Sequence, residues 1–360
     1  MKIVHALAYY GEYLGGIQSY VKELAKRQRE EGNEVKIITS DLYGEENQID
    51  KIPVIRVKSW FSAFRVPFIP GLPIKLLKED CDILHVHLPL PGLDLSAALK
   101  KWIHPKTKLI ITLHNYIPIN SKLSKIFSWF HNKFLISPAL KASDRIVVTT
   151  KAFADSLPYK LPSRKINVIS LGVDFKYFYP NKRYNKNQVL FVGRMIPEKG
   201  LHILMESMNS VRKHVNGAKL LAICSETYDY KDYERKIKKL DKYKILTIIK
   251  NVPHNKIRKY YADSACFVMP SLDLDSFGFV LIESMACGCP VISSDLPGPS
   301  SIVNKNVGLV VPRGNTEELS KAIVYMLKKG EKFRKNCREY AENNFSWEKI
   351  NKQILGVYRR

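Results

Sequence analysis

Residues 270–292 read PSLDLDSFGFVLIESMACGCPVI, and this stretch decides the fold. The apolar run Ala265–Met269 just ahead of it has the length of a buried strand and breaks into a polar loop. From Phe277-Gly278 onward the apolar residues return at helical spacing, Gly288 ends the helix, and Pro290–Ser293 is again a short strand. Strand, loop, helix and strand in such close succession is the repeating unit of a parallel sheet covered by helices.

The same alternation runs outward in both directions. Val189–Gly193, Ala218–Cys224 and Ile245–Ile249 precede the decisive stretch as strands, and Val307–Val311 follows it. Beyond that last strand, Thr316 reads as a helix N-cap, with Glu317 and Glu318 in the first turn and Leu319, Ala322, Ile323, Met326 and Leu327 as the buried stripe. An earlier series comprises Lys2–Ala8, Glu34–Thr39, Asp82–His87, Lys108–His114, Asp144–Thr149 and Lys165–Ile169. Between its first two strands, Ile17, Tyr20, Val21, Leu24 and Ala25 recur at helical spacing, and Gly32 closes that helix. A polar stretch around Asp174–Gln188 separates the two series. The reading is therefore an α/β protein of two Rossmann-like domains, residues 1–172 and 173–345, with ligand sites at the carboxyl ends of the strands and a cleft between the domains.

Composition agrees with this. A chain of 360 residues, 45% hydrophobic and 26% charged, with 18 Gly and 19 Pro, can bury sizeable cores, which excludes global disorder and a small disulfide-stapled domain. Its six cysteines are scattered through apolar segments, and Cys287-Gly-Cys289 lacks the spacing of a zinc cluster, so a reduced, cytoplasmic protein without a bound metal is expected. The opening MKIVHALAYYGEY lacks the apolar core of a signal peptide. No run reaches the ~20 apolar residues of a spanning helix, so any membrane contact is peripheral.

The net charge of +24 is unevenly spread. Residues 1–99 hold 12 Lys/Arg against 13 Asp/Glu, residues 100–172 hold 13 against 2, and the remainder 33 against 19. A basic stretch of this kind suits an anionic membrane surface, a phosphorylated substrate or nucleic acid. Nothing in the chain resembles a helix-turn-helix or an RNA-reading aromatic motif, so no specific nucleic-acid partner is expected.

Three short motifs carry chemistry. Gly15-Gly16 opens the first helix, where free amides and the helix dipole favour a phosphate, although a tight turn needs no more than two glycines. GRMIPEKG (Gly193–Gly200) ends a strand with Arg194 and Lys199, a bidentate fork and a mobile point charge able to hold the two phosphates of a nucleotide diphosphate. In the decisive stretch, amides at 277–280 would meet a phosphate, while Asp275 and Glu283 can accept hydrogen bonds from the hydroxyls of a sugar and of a ribose. Asp273-Leu-Asp275 also spells a divalent-metal motif. That reading would leave Glu283, Arg194 and Lys199 without a role.

Taken in order, Gly15-Gly16, Thr112-Leu-His114, Leu171-Gly-Val-Asp174, GRMIPEKG and the acidic pair of Asp275 and Glu283 leading to GCPVIS resemble the retaining glycosyltransferases of family 4, glycosyl transferases group 1. These enzymes have the two-domain architecture called GT-B, and the likeness covers nearly the whole chain. Phe345–Ile350 (FSWEKI) resembles the family's last helix, which would join residues 346–360 to the first domain.

The resemblance implies that Arg194 and Lys199 bind the donor pyrophosphate and that Glu283 holds the ribose. It also implies that Asp275, Phe277 and Gly278 meet the transferred sugar and phosphates, and that His114 faces that sugar near the reacting carbon. His85 and His87 share one side of their strand and read as packing residues. The partner implied is a nucleotide-sugar donor, with no cofactor and no metal.

Three departures stand out. Asp275 replaces the family's first Glu, Cys224-Ser-Glu226 replaces a glycine-rich turn, and Ser300-Ser301 stands where a Glu is common. Trp60, Phe61, Phe64 and Phe68, followed by Lys122, Ile126, Phe127, Trp129, Phe130 and Lys133, suit a membrane interface and a lipid-linked acceptor; the alternative is packing beneath a loop. Competing functions are a non-catalytic polyanion binder on a degenerate GT-B fold, a metal-dependent sugar transferase, and a two-domain epimerase or phosphorylase, the last disfavoured by Phe277–Glu283.

Overall fold

The computed structural model describes residues 1–11, 15–42, 44–63, 66–115, 128–226, 230–273 and 275–360. They form two units, Met1–Leu171 with Trp347–Arg360, and Gly172–Ser346.

The first unit is built on β1 (Lys2–Ala6), β2 (Glu34–Ser40), β3 (Gln48–Ile49), β4 (Ile52–Val57), a small hairpin of β5 (Phe61–Ala63) and β6 (Val66–Phe68), then β7 (Ile83–Leu88), β8 (Lys108–Leu113), β9 (Arg145–Val148) and β10 (Ile166–Val168). The main sheet runs β10-β9-β8-β7-β1-β2-β4-β3, parallel except for the β3–β4 pair. The expected strands all form, with ends differing by one or two residues. β3, β4 and the hairpin lie outside the sequence reading, because Pro53 and Arg56 interrupt the apolar run that would have marked β4.

Period two divides this sheet sharply. Val4, Ala6, Leu84, Val86, Leu88, Leu109, Ile111 and Leu113 face an apolar core that includes Leu72, Leu76, Leu93 and Ala97. The intervening residues His5, His85, His87 and Thr112 are buried on the opposite face. That face is covered by the helix Gly16–Glu30, which buries Tyr20, Val21, Leu24, Ala25 and Gln28, and by the final helix Trp347–Arg359. Trp347 packs on Tyr20 with ring centroids 5.6 Å apart, so the closing helix belongs to the first unit. The first helix ends as expected at Gly32 (φ +83°), where the Asn33 amide donates to the Gln28 carbonyl across the left-handed turn.

The second unit carries β11 (Asn185–Arg194), β12 (Lys219–Ser225), β13 (Leu246–Lys250), β14 (Ser264–Met269), β15 (Val291–Ser294) and β16 (Gly308–Val311) in the order β13-β12-β11-β14-β15-β16. All its pairings are parallel. The chain builds outward from β11 in one direction, then returns to place β14 on its other side. The switch point therefore falls between β11 and β14. One cap is corrected: Asn315, not Thr316, caps the helix Thr316–Lys329, its side chain accepting from the Glu318 amide at 3.0 Å. All six cysteines are buried and unpaired, and no helix among the described residues is long and apolar enough to cross a membrane.

Candidate active site

In an open parallel sheet the strand ends splay apart at the switch point, leaving room for a ligand beyond the carboxyl ends. In the second unit those ends are the segments after β11 and β14, the two motifs singled out in the sequence. Three contacts join them. Gly200 (φ +72°) lies so close to Pro270 that a Cβ there would stand 2.0 Å from its carbonyl oxygen. The Leu272 amide donates to the Glu198 carbonyl at 2.8 Å, and Lys199 Nζ donates to Asp275 Oδ1 at 2.6 Å. Arg194 is exposed at the last position of β11, and Lys199 follows in the one-turn helix Pro197–Lys199. The structure thus places Arg194, Lys199 and Asp275 on one edge of one unit, though Lys199 and Asp275 lie 76 residues apart in sequence.

The next helix spans Phe279–Ala286, so it starts two residues later than the spacing predicted, with Gly278 (φ +92°) as its N-cap. A left-handed residue at the N-cap suits glycine. The Phe277 side chain is buried against Phe345, ring centroids 5.9 Å apart, and only its backbone can face a ligand. The short helix Pro297–Ser300 supports this turn from behind, since a Cβ on Gly298 would lie 2.0 Å from the Ser276 carbonyl oxygen. Ser300 and Ser301 lie at the end of that support.

Glu283 is buried in the second turn of the helix, where a bare carboxylate would be costly. Two donors hold it: Tyr261 Oη to Oε2 at 2.9 Å and His254 Nε2 to Oε1 at 2.8 Å. The Tyr261 hydroxyl is wholly buried, and desolvation together with the Glu283 charge pushes its pKa far up, so it remains a donor. The His254 side chain is 57% exposed. Neither partner was singled out in the sequence. Both come from the segment before β14, and only the packing of that segment on the helix reveals them.

The turn after β12, where a glycine-rich segment was missing, is held by a reciprocal pair. The Glu226 amide donates to Asn251 Oδ1 at 3.1 Å and Asn251 Nδ2 donates to Glu226 Oε2 at 3.0 Å.

In the first unit, Gly15 is the N-cap of the helix Gly16–Glu30, and a Cβ on Gly16 would meet nothing within 4 Å. His114 follows β8, at 6% exposure. Its Nε2 is 3.0 Å from His87 Nδ1, and burial drives its pKa down to about 3, so the ring is neutral. His85 and His87 are buried and hydrogen-bonded beside it.

Among the described residues these aromatics are exposed and not packed beneath a loop. Trp60, Phe61 and Phe68 are 72%, 58% and 47% exposed, with Phe61 stacked on Phe68 and Trp60 edge-on to it, and Trp129, Phe130 and Phe134 are also exposed, with Lys133 Nζ 5.1 Å from the Trp129 ring centre. Trp102 and Ile103, exposed at the end of the helix Leu93–Ile103, escaped the sequence reading because they fall outside its aromatic-lysine clusters. Phe64, Lys122, Ile126 and Phe127 lie outside the described residues. Part of the basic stretch is consumed structurally: Lys100 donates to the Leu77 and Glu79 carbonyls, Lys165 to those of Lys141 and Ser143, and Lys101 pairs with Asp144.

Comparison with known proteins follows the same division. The model for Glycosyltransferase Family 4 matches residues 14–177, and that for Glycosyl transferases group 1 matches residues 174–344. An uncharacterized glycosyltransferase of Methanocaldococcus jannaschii is 28% identical over 99% of this chain and 98% of its own length. The phosphatidyl-myo-inositol mannosyltransferase of Mycobacterium leprae is 26% identical over 99% and 96%. Among solved structures, sucrose-phosphate synthase from Thermosynechococcus elongatus superposes with a TM-score of 0.79 at 20% identity, covering 100% of this chain and 98% of that one. Anabaena HepE in complex with UDP and glucose gives 0.79 at 17% identity, covering 99% of each. With the GT-B fold and both family models abutting at the boundary between the units, this chain belongs to the family 4, group 1 glycosyltransferases.

Proposed function

We propose that the protein transfers a hexosyl unit, with retention at the anomeric carbon, from a nucleoside diphosphate sugar to a lipid-linked or glycan acceptor, without a metal ion. The observation that carries this reading is the grouping of Arg194, Lys199 and Asp275 at the β11–β14 switch point, with Glu283 held in the adjoining helix. The names of relatives support it: a UDP complex of HepE for the donor, and a phosphatidyl-myo-inositol mannosyltransferase for the acceptor class.

Breaking the anomeric C–O bond leaves negative charge on the departing diphosphate and oxocarbenium character on the sugar. Arg194, Lys199 and the backbone around Phe277–Gly278 supply fixed positive ends for that charge, each good donor being worth ~3 kcal/mol in such a setting. Glu283 accepts from the ribose hydroxyls as His254 yields to the ligand, while Tyr261 keeps the carboxylate oriented. The acceptor hydroxyl attacks from the face the leaving group vacates, and its proton passes to the departing phosphate oxygen. Lys199 on Asp275 argues against Asp273 and Asp275 as a metal pair, because a cation already occupies one of those carboxylates.

The first unit takes the acceptor. Its exposed Trp60, Phe61, Phe68, Trp129 and Phe130, with Lys133 beside them, fit the interface of an anionic bilayer, which supports a peripheral position on the cytoplasmic face. The test is thermal shift against uridine, guanosine and adenosine diphosphate sugars, followed by transfer with the stabilising donor and NMR of the product anomer. Selective stabilisation and an α-linked product from an α-linked donor are expected. An inverted product overturns retention, and no stabilisation by any sugar nucleotide overturns the donor class.

A further inference from the structure

The helix-covered face of the first sheet holds a row of buried polar side chains that ends at His114. His5, Gln28, His85, His87, Thr112, His114 and Tyr358 are all buried, and they are joined in a single line. His114 Nε2 lies 3.0 Å from His87 Nδ1, His87 Nε2 lies 3.0 Å from His5 Nδ1, and His5 Nε2 lies 2.8 Å from Gln28 Oε1. From the other end of that amide, Gln28 Nε2 donates to Tyr358 Oη at 3.1 Å, Tyr358 Oη lies 2.6 Å from His85 Nδ1, and His85 Nε2 lies 2.6 Å from Thr112 Oγ1.

The orientation of the Gln28 amide, its oxygen on His5 and its nitrogen on Tyr358, gives this line one direction. Desolvation lowers the pKa of all four imidazoles, His5 to about 4, His114 to about 3 and the other two far below the usual value, so each ring carries a single N–H. The Gln28 oxygen can only accept, so His5 must hold its proton on Nε2 and accept at Nδ1. His87 must then donate from Nε2 and accept at Nδ1, and His114 must donate from Nε2. On the other branch the Gln28 amide donates to Tyr358, whose hydroxyl donates to His85 Nδ1, which leaves His85 protonated on Nε2.

His5, His85 and His87 also have nitrogens close enough together for a metal ion. Each of those ring nitrogens already has a hydrogen-bond partner in the line, and the donor direction accounts for all of them without an ion.

We infer that Gln28, through His5 and His87, is a positioning residue that locks His114 as the Nε2–H tautomer and so leaves its Nδ1 as a hydrogen-bond acceptor for a sugar hydroxyl. The use of that lone pair rests on the proposed transfer reaction; the lock itself does not. It makes His114 selective for a ligand hydroxyl that donates, because a ring with a free tautomer would accept or donate with equal ease.

Long-range 1H–15N correlation spectra of 15N-histidine-labelled protein test it directly. His5, His85, His87 and His114 are expected as neutral Nε2–H rings between pH 5.5 and 8. In Gln28→Leu the acceptor for His5 is gone, the Nδ1–H form of His114 appears, and transfer falls about tenfold or more, as when an outer partner of a functional histidine is removed. Gln28→Glu keeps an acceptor for His5 and is expected to retain the tautomer and transfer within a few-fold of the parent protein. An Nδ1–H or charged His114 in the parent protein, or an Nε2–H His114 unchanged in Gln28→Leu, overturns the lock. So does stoichiometric uptake of added Zn2+ with loss of the His5, His85 and His87 N–H pattern. A confirmed tautomer in a protein that transfers no sugar removes the proposed reaction and the use of Nδ1, and leaves the lock standing.

Discussion

Lys199 Nζ lies 2.6 Å from Asp275 Oδ1, while Asp275 Oδ2 is buried without a hydrogen-bond partner among the described residues. A cation proposed for the donor pyrophosphate thus rests on the carboxylate proposed for the donor sugar. When a diphosphate draws Lys199 away, Asp275 is left needing donors, and sugar hydroxyls are donors. Binding of the phosphate half and of the sugar half is thereby coupled through one salt bridge.

Lys199→Ala is expected to lower kcat/KM about 100-fold or more, the scale for one preorganised donor on a developing anion. It should also cost about 2 kcal/mol of stability, because Asp275 keeps a largely buried charge without its partner. Adding Asp275→Asn should recover the stability and leave the rate low. Urea unfolding and initial rates of the three variants check this, and recovery of both quantities together would argue against the coupling. Arg194→Ala should likewise abolish turnover while leaving acceptor binding nearly unchanged.

Tyr261→Phe removes the fixed donor to Glu283 and leaves His254 as the remaining holder. Donor KM should rise about tenfold while kcat falls less, since the loss is one charged hydrogen bond to a ribose-binding group. Steady-state kinetics with the preferred sugar nucleotide decides it; an effect on kcat alone would move Glu283 out of the ribose site.

The glycines of the site are close-approach residues. Gly200→Ala places a Cβ 2.0 Å from a carbonyl oxygen and at φ +72°, and Gly298→Ala makes an equally close approach to Ser276, so each should cost more than about 2 kcal/mol and slow transfer. Gly356→Ala, inside the final helix with nothing within 4 Å of its Cβ, should instead stabilise by about 0.5–1 kcal/mol. Thermal unfolding of the three variants provides the comparison.

The neutral histidine line makes stability pH-dependent. Unfolded imidazoles titrate near 6.5, whereas His5 and His114 in the fold titrate near 4 and 3. The unfolded chain therefore binds more protons below pH 6.5. Stability is complete above that value and is lost as pH falls toward the folded pKa values, by about 1.4 kcal/mol per pH unit for each histidine. Denaturant unfolding at pH 7.5, 6 and 5 should show this loss, and a flat profile would mean the rings are not buried neutral.

Membrane association predicts flotation with anionic vesicles at low salt, weakened by Trp60→Ser with Phe68→Ser and separately by Trp129→Ser. Absence of flotation by the parent protein would remove the bilayer from the proposal.

What was legible in the chain follows from local chemistry. Apolar runs of strand length, helical periodicity and glycines at turns are properties of adjacent residues, so the order of strands along both units could be read directly. The candidate site was legible wherever a motif is contiguous, as in Gly193–Gly200 and Pro270–Ile292. The start of the helix at Phe279 and the cap at Asn315 were displaced by one or two residues, because propensity marks a helix end less sharply than the hydrogen bond that closes it.

Local patterning suffices for two parallel α/β units and for the residue types able to meet a sugar nucleotide. Which of those residues meet one another is settled by long-range packing. Lys199 and Asp275 pair because β11 and β14 are neighbours in the sheet, and sheet order is set by packing between segments far apart in the chain. The same holds for His254 and Tyr261 on Glu283, and for Gln28 and Tyr358 among the histidines. Period two predicts that His85 and His87 share a face, but the direction of their protons depends on an amide from one helix and a hydroxyl from another. A hydrogen bond needs its partners within about 3 Å, and only folding brings such distant residues that close.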